Sequence, residues 1–393
     1  MPGMRCLARL HCQACARDFY GDLPVGQGMI TPLLIDDSTS QVYDDEDAKW
    51  FGQWLQQSHR RRTAAPVAFT TEEFRPLRQV VLLNCLDTLY GHSLLKLLNV
   101  QYYLDHCPDL DVVVLIQPFL RWMVPEGVAA IWTVDVPLRR GTEWNDWLAN
   151  ELLQRVRQCE IAWLSVAFAH PHPQEYRIQR FTGVAPFPID EWQRRLTRPA
   201  VTFSWRTDRL WYSGTALKWL DRAARRVGGV FAQLSLAVQQ QRINALYRHL
   251  KRALPTLDFA VVGLGVAGGL DPGIADQRTL RLDPTIERAW CERYAQSHVV
   301  IGIHGSNLLL PSAHAGAVVE LMPSDRWGNA LQDLLFQPQD MREALFRYRL
   351  VPTSVSPKPL SRIVRSLLHD HWPMLIRMRP AFCRHLELAA PER

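Results

Sequence analysis

The pattern of apolar and polar positions changes near residue 79. From there on, short apolar runs of strand length alternate with longer amphipathic segments, which is typical of a parallel sheet with helices on its faces. This pattern predicts strands over 79–83, 111–117, 131–136 and 161–168, and helices over 92–107 and 144–159. Together these segments make one α/β unit.

A second α/β unit follows a proline-rich stretch, 171–199, which is the candidate linker. A helix is expected to begin at Asp283 and Pro284, because they combine an N-cap residue with proline at the first helical position. The pattern also predicts a helix near 236–254 and strands over 201–205, 258–264, 299–303 and 317–321. The predicted fold class is α/β, with two Rossmann-like doubly wound domains facing a cleft, where such folds bind ligands.

The remaining segments complete the predicted domain organisation. Residues 1–78 are irregular in pattern and are expected to form an N-terminal extension or β-rich cap. The two Rossmann-like domains are predicted to cover 79–199 and 200–340. A basic helical segment is expected over 341–393.

The composition is that of a folded globular protein. Of the 393 residues, 47% are hydrophobic and 21% are charged, so a large core can be buried and global disorder is excluded. The formal net charge of +6 is too small to imply a nucleic-acid partner, and none is expected. No apolar run approaches the ~18 residues of a membrane helix, and the N-terminus lacks an apolar signal core. We therefore expect a cytoplasmic protein.

The cysteines are expected to be free thiols. There are eight, scattered along the chain without the density of a disulfide framework. Cys12 and Cys15, with Cys6 and His11 nearby, could form half of a zinc knuckle. Zinc needs four ligands and no second CxxC is present, so no metal site is predicted.

The C-terminal segment carries the excess charge. Residues 341–393 hold ten Lys and Arg against four acidic residues, which accounts for the whole net charge of the chain. An apolar stripe at helical spacing predicts a helix that packs on its own domain; it consists of Leu360, Ile363, Val364, Leu367 and Leu368. A second hypothesis is contact with an anionic membrane, because apolar and basic residues interleave after the stripe. These residues are Trp372, Met374, Ile376 and Phe382, with Arg377, Arg379 and Arg384.

The segment 299–323 contains the strongest candidate chemistry. An apolar strand is followed by His304, by Gly305, which lets the backbone approach a ligand, and by Ser306 and Asn307 at an expected helix start. Free amides and a helix dipole at such a place can bind a diphosphate. Glu320 then ends the next strand, where a carboxylate can accept two hydrogen bonds from a ribose diol. A lone His-Gly pair is more often a plain turn, but the preceding strand and Glu320 favour the functional interpretation.

This segment resembles glycosyltransferase family 61, whose hallmark is a strand, a His-Gly-small-small-Leu loop, a turn and a strand ending in Glu-Leu. The resemblance is good over about 25 residues and moderate over 200–325. It implies the GT-B fold, a nucleotide-sugar site in the second domain, inverting transfer and no metal or other cofactor. The chain departs from the family at Asn307, where Gly is usual, and at His314, where Pro is common. These departures concern the identity of the donor.

Two arginines follow the first strand of the second domain, again as in the resembled family. A departing nucleoside diphosphate gathers negative charge, which Arg206 or Arg209 could neutralise through a bidentate contact without a divalent ion. Arg206 is the first candidate because it follows the strand directly. The alternative is that both arginines pair with Asp208 or other acids at the surface.

Inverting transfer needs a base that takes the proton of the acceptor hydroxyl. In the first domain, His92 is the first candidate and Asp87 the second, since both follow the strand 79–83. The resembled family often has an aromatic-x-His element here, matched by Tyr90 and His92, and an acid one turn later, where this chain has Lys96. The alternative, that His92 caps the helix or packs internally, stays open.

These observations predict a metal-independent inverting glycosyltransferase, a hexosyl- or pentosyltransferase of the kind used in polysaccharide biosynthesis. It would move a sugar from a nucleoside diphosphate donor, UDP by the resemblance, to a hydroxyl of a glycan or glycolipid. One alternative is a fucosyltransferase-like enzyme that uses a GDP-sugar. Another is a non-catalytic binding protein on the same fold, in which Lys96 and Asn307 mark a lost activity.

Overall fold

The computed structural model describes residues 5–29, 31–44, 49–166, 171–172, 175–211, 230–335 and 341–378. The chain divides into two compact units, Met1–Thr182 and Gly183–Arg393. Each unit holds its own sheet of mainly or wholly parallel strands with helices between them. The prediction of an α/β protein with two sheet-bearing units is therefore confirmed.

The first unit begins with a small antiparallel sheet. Its strands, which pair in chain order, are β1 (Leu7–Cys12), β2 (Arg17–Asp22), β3 (Leu34–Asp36) and β4 (Val42–Tyr43). Helix α1 (Lys49–Arg60) follows. Buried Ile35, Leu55 and Trp144 form a separate small core here, so this segment packs within the first unit.

The larger sheet of the first unit has the order β5-β8-β7-β6-β9. Its strands are β5 (Phe69–Glu73), β6 (Gln79–Asn84), β7 (Asp111–Ile116), β8 (Ala130–Val134) and β9 (Ile161–Leu164). Only β5 runs antiparallel to its neighbour. The strand order reverses beside β6, so the residues that follow β6 lie at a topological switch point.

Four helices follow within this unit: α2 (Tyr90–Leu98), α3 (Val100–His106), α4 (Asp146–Arg157) and α5 (Ile178–Thr182). The single helix predicted over 92–107 is divided at Asn99. The side-chain nitrogen of Asn99, Nδ2, donates to the carbonyls of Leu95 and Lys96, both at 3.0 Å, and so competes with the helical backbone for these acceptors.

The sheet of the second unit is wholly parallel, with the order β12-β11-β10-β13-β14-β15. Its strands are β10 (Ala200–Trp205), β11 (Asp258–Leu264), β12 (Ala275–Thr279), β13 (Val299–Ile303), β14 (Ala317–Met322) and β15 (Tyr348–Pro352). The order reverses between β10 and β13. In open α/β sheets, ligands bind beyond the carboxyl ends of the strands at such a reversal.

Helices pack on this sheet. They are α6 (Trp192–Arg195), α7 (Val230–Ala253), α8 (Pro284–Gln296), α9 (Leu309–His314), α10 (Met341–Arg347) and α11 (Pro357–Met378). The core joins strand residues such as Phe203 and Ile301 to Leu246 of α7 and Val364 of α11. Helix α8 begins as predicted, with the Asp283 carboxylate accepting a hydrogen bond from the Ile286 amide at 2.9 Å.

The second half of the proline-rich stretch is packed into the second unit rather than free as a linker. Phe187 and Trp192 are buried in its core, and the Trp192 indole donates to the carbonyl of Leu368 at 3.0 Å. It also stacks on His371 with ring centroids 4.1 Å apart. These contacts fix the stretch against helix α11.

The apolar stripe of the C-terminal segment lies on helix α11 and faces its own unit. Leu360, Val364, Leu367 and Leu368 are all buried in the core, which confirms the prediction that the stripe packs on its own domain. Among the residues of the membrane hypothesis, Arg379, Phe382 and Arg384 lie outside the described residues. Within the described residues, no helix is both long enough and apolar enough to cross a membrane.

Candidate functional site

The structure brings the second-unit candidates together at the switch point between β10 and β13. Arg206 comes directly after β10, and residues 304–307 come directly after β13. These strands are neighbours in the sheet, with Ser204 opposite Gly302 in register. Arg206 and Arg209 therefore meet the His-Gly loop at one edge of the sheet, although they lie 98 and 95 residues from His304 in the chain.

Arg206 links this loop to the surface. One of its terminal nitrogens, Nη1, donates to the carbonyl of His304 at 3.1 Å and to the Asn307 side chain at 2.7 Å. Its Nε and Nη2 atoms contact the Asp208 carboxylate at 2.8 and 2.5 Å. The Arg206 side chain is 15% exposed, whereas Asp208 is 65% exposed. Arg206 thus forms the ion pair with Asp208 that the sequence analysis gave as the alternative, and it also contacts the loop, which the sequence analysis did not predict.

Arg209 converges on the same carbonyl. Its Nη1 donates to the oxygen of His304 at 2.7 Å. Burial lowers the pKa of Arg209, and repulsion by the guanidinium groups of Arg206 and Arg326 lowers it further. Several like charges held close together raise the local positive potential, so a bound anion would relieve their repulsion.

Gly305 allows this approach. Its φ of 137° is a conformation that other residues rarely adopt, and a Cβ atom there would overlap the Arg206 guanidinium. The Ser306–Leu308 turn that follows is a short 3-10 helix that runs directly into the six-residue helix α9, so a helix begins where the sequence predicted one. Asn307 donates to the Ser204 hydroxyl at 3.1 Å. Ser306 makes no hydrogen bond through its hydroxyl to any described residue.

Glu320 lies beneath the loop rather than open to a ribose. It is fully buried, and its Oε1 lies 2.5 Å from Nδ1 of His304. Its other oxygen, Oε2, accepts a hydrogen bond from the Tyr348 hydroxyl at 2.7 Å. Because both carboxylate oxygens are engaged inside the unit, this arrangement does not supply the ribose acceptor expected from the sequence. Glu320 instead orients the imidazole of His304.

Asp333 completes this cluster and was not among the residues predicted from the sequence. Its Oδ2 accepts a hydrogen bond from the Gly305 amide at 3.0 Å and lies 3.6 Å from Nδ1 of His304. Burial and the neighbouring Glu320 raise the pKa of Asp333 to about 6, against the opposing effects of His304, the Gly305 amide and Arg206. Asp333 lies in an irregular segment after β14, where no periodicity or motif marks a functional residue.

His304, Glu320 and Asp333 also satisfy a loose criterion for a metal site. Within the described residues, they are the group of His, Cys, Asp and Glu whose potential ligand atoms all lie within 4.8 Å of one another. In this structure, Nδ1 of His304 and Oε1 of Glu320 contact each other directly, at 2.5 Å.

The first-unit candidates form a separate cluster at the end of β6. His92 lies in the first turn of α2, with its Nδ1 3.4 Å from Oδ1 of Asp87 and 34% of its side chain exposed. Lys96 donates to Oδ2 of the buried Asp87 at 2.9 Å and to the Leu86 carbonyl at 3.0 Å. Burial alone would raise the pKa of Asp87, but His92 and Lys96 hold it well below its ordinary value. Asp87 is therefore a poor proton acceptor, and His92 is the accessible group.

Cys12 and Cys15 lie at the turn between β1 and β2. Both are free thiols, as are the other described cysteines, which confirms the prediction for these positions; Cys383 lies outside the described residues. Hydrogen bonds from the backbone and side chain of Arg17 lower the pKa of the exposed Cys15. Within the described residues, no further His, Cys, Asp or Glu joins the pair in a cluster suited to a metal.

Comparison with known proteins yields no family assignment. No protein-family model matches the sequence, and no curated protein matches it. Among solved structures, the chain is similar to the ADP-heptose LPS heptosyltransferase II of E. coli, with 11% identity over 74% of this chain and 98% of that one and a TM-score of 0.36. It is also similar to the spinosyn forosaminyltransferase SpnP, with 12% identity, coverage of 75% and 91%, and a TM-score of 0.33. Both TM-scores are below 0.5, so neither likeness carries weight for fold or function.

Proposed function

We propose that this protein is a glycosyltransferase that uses a nucleoside diphosphate sugar, with the donor diphosphate bound at the His304 loop of the second unit. The observation that carries the proposal is the convergence of Arg206 and Arg209 on the carbonyl of His304. This cluster lies at the switch point of a wholly parallel sheet, where nucleotide ligands bind in doubly wound folds. Two guanidinium groups that converge on this loop offer the positive charge that a diphosphate needs.

The reaction we propose is inverting and independent of metal. The acceptor oxygen forms a bond to the anomeric carbon while the bond from that carbon to the diphosphate oxygen breaks, and its electron pair leaves with the nucleoside diphosphate. Arg206 and Arg209 face the charge that develops on the leaving group, which is where electrostatic stabilisation accelerates such a transfer.

On the acceptor side, His92 is the proposed base, with Asp87 behind it. The partly exposed imidazole can take the hydroxyl proton, and the Asp87 carboxylate lies 3.4 Å from its Nδ1. Because Lys96 already neutralises Asp87, Asp87 acts in this proposal through His92 and not as the base itself. The acceptor is a hydroxyl of a glycan or glycolipid.

The wider assignment follows the sequence resemblance. It favours family 61, the GT-B class of fold, and UDP as the nucleotide. We also propose a cytoplasmic location in which the basic C-terminal segment contacts an anionic membrane near a lipid-linked acceptor. Purified protein that ignores anionic vesicles at low salt would remove the membrane part of this proposal.

A thermal-shift screen with UDP, GDP, ADP and CMP tests the donor site. A ligand at a hundredfold excess over its dissociation constant stabilises the folded protein by ~2.7 kcal/mol, which is easily measured. We expect a shift with UDP that is lost in Arg206→Ala and Arg209→Ala. Arg365→Ala removes an equal charge from the exposed face of helix α11 and serves as the control.

The same screen separates the alternatives. A shift confined to GDP would favour the fucosyltransferase-like enzyme over the UDP-dependent one. No shift with any nucleotide would contradict the donor site and favour the non-catalytic binding protein. Loss of transfer with retained UDP binding in His92→Ala would support the proposed base, and retained transfer would exclude it.

A further inference from the structure

Two buried carboxylates face a single imidazole nitrogen in the second unit. Oε1 of Glu320 lies 2.5 Å from Nδ1 of His304, and Oδ2 of Asp333 lies 3.6 Å from the same atom. All three side chains are at least nine-tenths buried. Buried negative charge is costly unless a cation pairs with it or a proton neutralises it.

Among the groups that contact these two carboxylates, His304 is the one that can carry a balancing positive charge. Tyr348 donates a neutral hydroxyl to Glu320, and Gly305 donates its amide to Asp333. No Lys or Arg in the described part of the chain forms an ion pair with either acid. Arg206 and Arg209 contact the carbonyl of His304 rather than the carboxylates, so they act on the acids at longer range.

The other ring nitrogen of His304, Nε2, has no hydrogen-bond partner among the described residues. Nδ1 faces the two acids, and only 5% of the side chain is exposed. The backbone of this same residue receives both arginines. An unpartnered nitrogen on a nearly buried ring, in the residue whose carbonyl receives both guanidinium groups, is suited to a ligand of negative charge.

We propose that His304 is an imidazolium, protonated on both nitrogens and held by Glu320 and Asp333, and that its Nε2 proton binds the donor diphosphate in place of a divalent cation. This inference rests on the proposed function and deepens it. The site then opposes the leaving group with one imidazolium and two guanidinium groups. When the bond to the anomeric carbon breaks, its electron pair moves to the diphosphate oxygen, and Nε2 supplies a charge-assisted hydrogen bond to that group.

The first unit offers an internal contrast. There, a histidine also lies beside a buried carboxylate, but Lys96 forms an ion pair with Asp87 at 2.9 Å and supplies the balancing charge. His92 therefore has no excess of negative charge beside it. The two histidines therefore differ in the charge beside them: two buried carboxylates face His304, whereas the carboxylate beside His92 is paired with Lys96.

Nitrogen-15 NMR of the histidine side chains tests the protonation directly, without any nucleotide. We expect the free protein at pH 7 to give one imidazole with both nitrogens protonated that is absent from His304→Gln, the variant that assigns it. A neutral His304 ring under these conditions overturns the inference, whatever the nucleotide experiments give.

Calorimetric titration with UDP tests the role of this proton. We expect His304→Gln to bind UDP about tenfold to a hundredfold more weakly than the parent protein, the usual range for a charged hydrogen bond. In Glu320→Gln, the affinity should fall at a lower pH than in the parent, because the ring loses a carboxylate partner. The groups that face His304 in these titrations are Glu320, Asp333, Tyr348, Arg206 and Arg209.

Three outcomes would count against the inference. Equal UDP affinity in the parent and His304→Gln overturns it, provided that Arg206→Ala still weakens binding and so keeps the donor site. The same pH dependence in the parent and Glu320→Gln also overturns it. A stoichiometric divalent metal in the purified protein, whose removal by a chelator abolishes UDP binding, would assign the role to an ion. If His304→Gln fails to fold, Asp333→Asn replaces it, with the same expected shift in pH dependence as Glu320→Gln.

Discussion

Nζ of Lys96 lies 2.9 Å from Oδ2 of Asp87, and both side chains are buried. Lys96 occupies the position where the resembled family often has an acid. Its ion pair with Asp87 explains why a lysine is tolerated there, because the pair leaves no net charge inside the unit.

Lys96→Met should destabilise the protein by about 3–5 kcal/mol, because it leaves the Asp87 carboxylate buried without its cation. Denaturant unfolding at pH 7 measures this loss. The exposed Lys358→Met is the control and should change the free energy of unfolding by less than about 0.5 kcal/mol. Adding Asp87→Asn to Lys96→Met should recover part of the stability. If Lys96→Met alone were as stable as the parent, the ion pair would not be the buried feature described above.

The pH dependence of stability should change in the same variant. In the parent, the pKa of Asp87 lies below its ordinary value. The stabilisation of the folded state by the Asp87 carboxylate is therefore complete above the ordinary pKa and is lost as the pH falls toward the lowered pKa. Without Lys96, burial dominates and the pKa of Asp87 should rise. Acid unfolding of Lys96→Met should therefore begin at a higher pH than that of the parent. An unchanged acid transition would contradict this.

Gly305→Ala should weaken nucleotide binding. A Cβ atom at this φ of 137° is strained and overlaps the Arg206 guanidinium, so the arginine must move away from the loop. The backbone strain alone should cost about 1–3 kcal/mol of stability. Gly328→Ala is the matched control, since an added Cβ there meets nothing within 4 Å. Similar UDP affinities for both variants would argue against the close approach of Arg206 to residue 305.

The sequence pattern identified strands that carry apolar runs and missed those that do not. Strand β12 reads ADQRT and lies at the edge of the sheet, paired only with β11. Its buried residue is Arg278, whose guanidinium lies 4.5 Å from the Trp205 ring centroid and bonds to Asp276 at 2.8 Å. A salt-bridged arginine on an aromatic ring takes the place of an apolar side chain there, so hydrophobic periodicity does not detect the strand.

The candidate site was likewise predictable only in part. The strand-end positions of Arg206 and His304 were visible in the sequence, because polar residues after parallel strands meet at one edge of a sheet. The groups that surround His304 and Glu320 were not predictable. Tyr348 reaches Glu320 from a later strand, and Asp333 reaches Gly305 and His304 from an irregular segment, through tertiary packing that no local pattern encodes.

Trp192→Ala should destabilise the second unit by about 3–5 kcal/mol, because it empties a fully buried site between the proline-rich stretch and helix α11. Thermal or denaturant unfolding measures the loss. Trp163→Ala removes an indole that is 45% exposed on β9 and should cost much less. Equal losses in the two variants would contradict the packing of residues 183–199 into the second unit.

The most direct test of the central claim is calorimetric titration of the whole protein with UDP, GDP and their monophosphates. The account predicts that one diphosphate binds at least about tenfold more tightly than its monophosphate, since the second phosphate contacts the arginines. This preference should disappear in Arg206→Ala and persist in Arg365→Ala. Equal affinity for diphosphate and monophosphate, or full diphosphate affinity in Arg206→Ala, would contradict it.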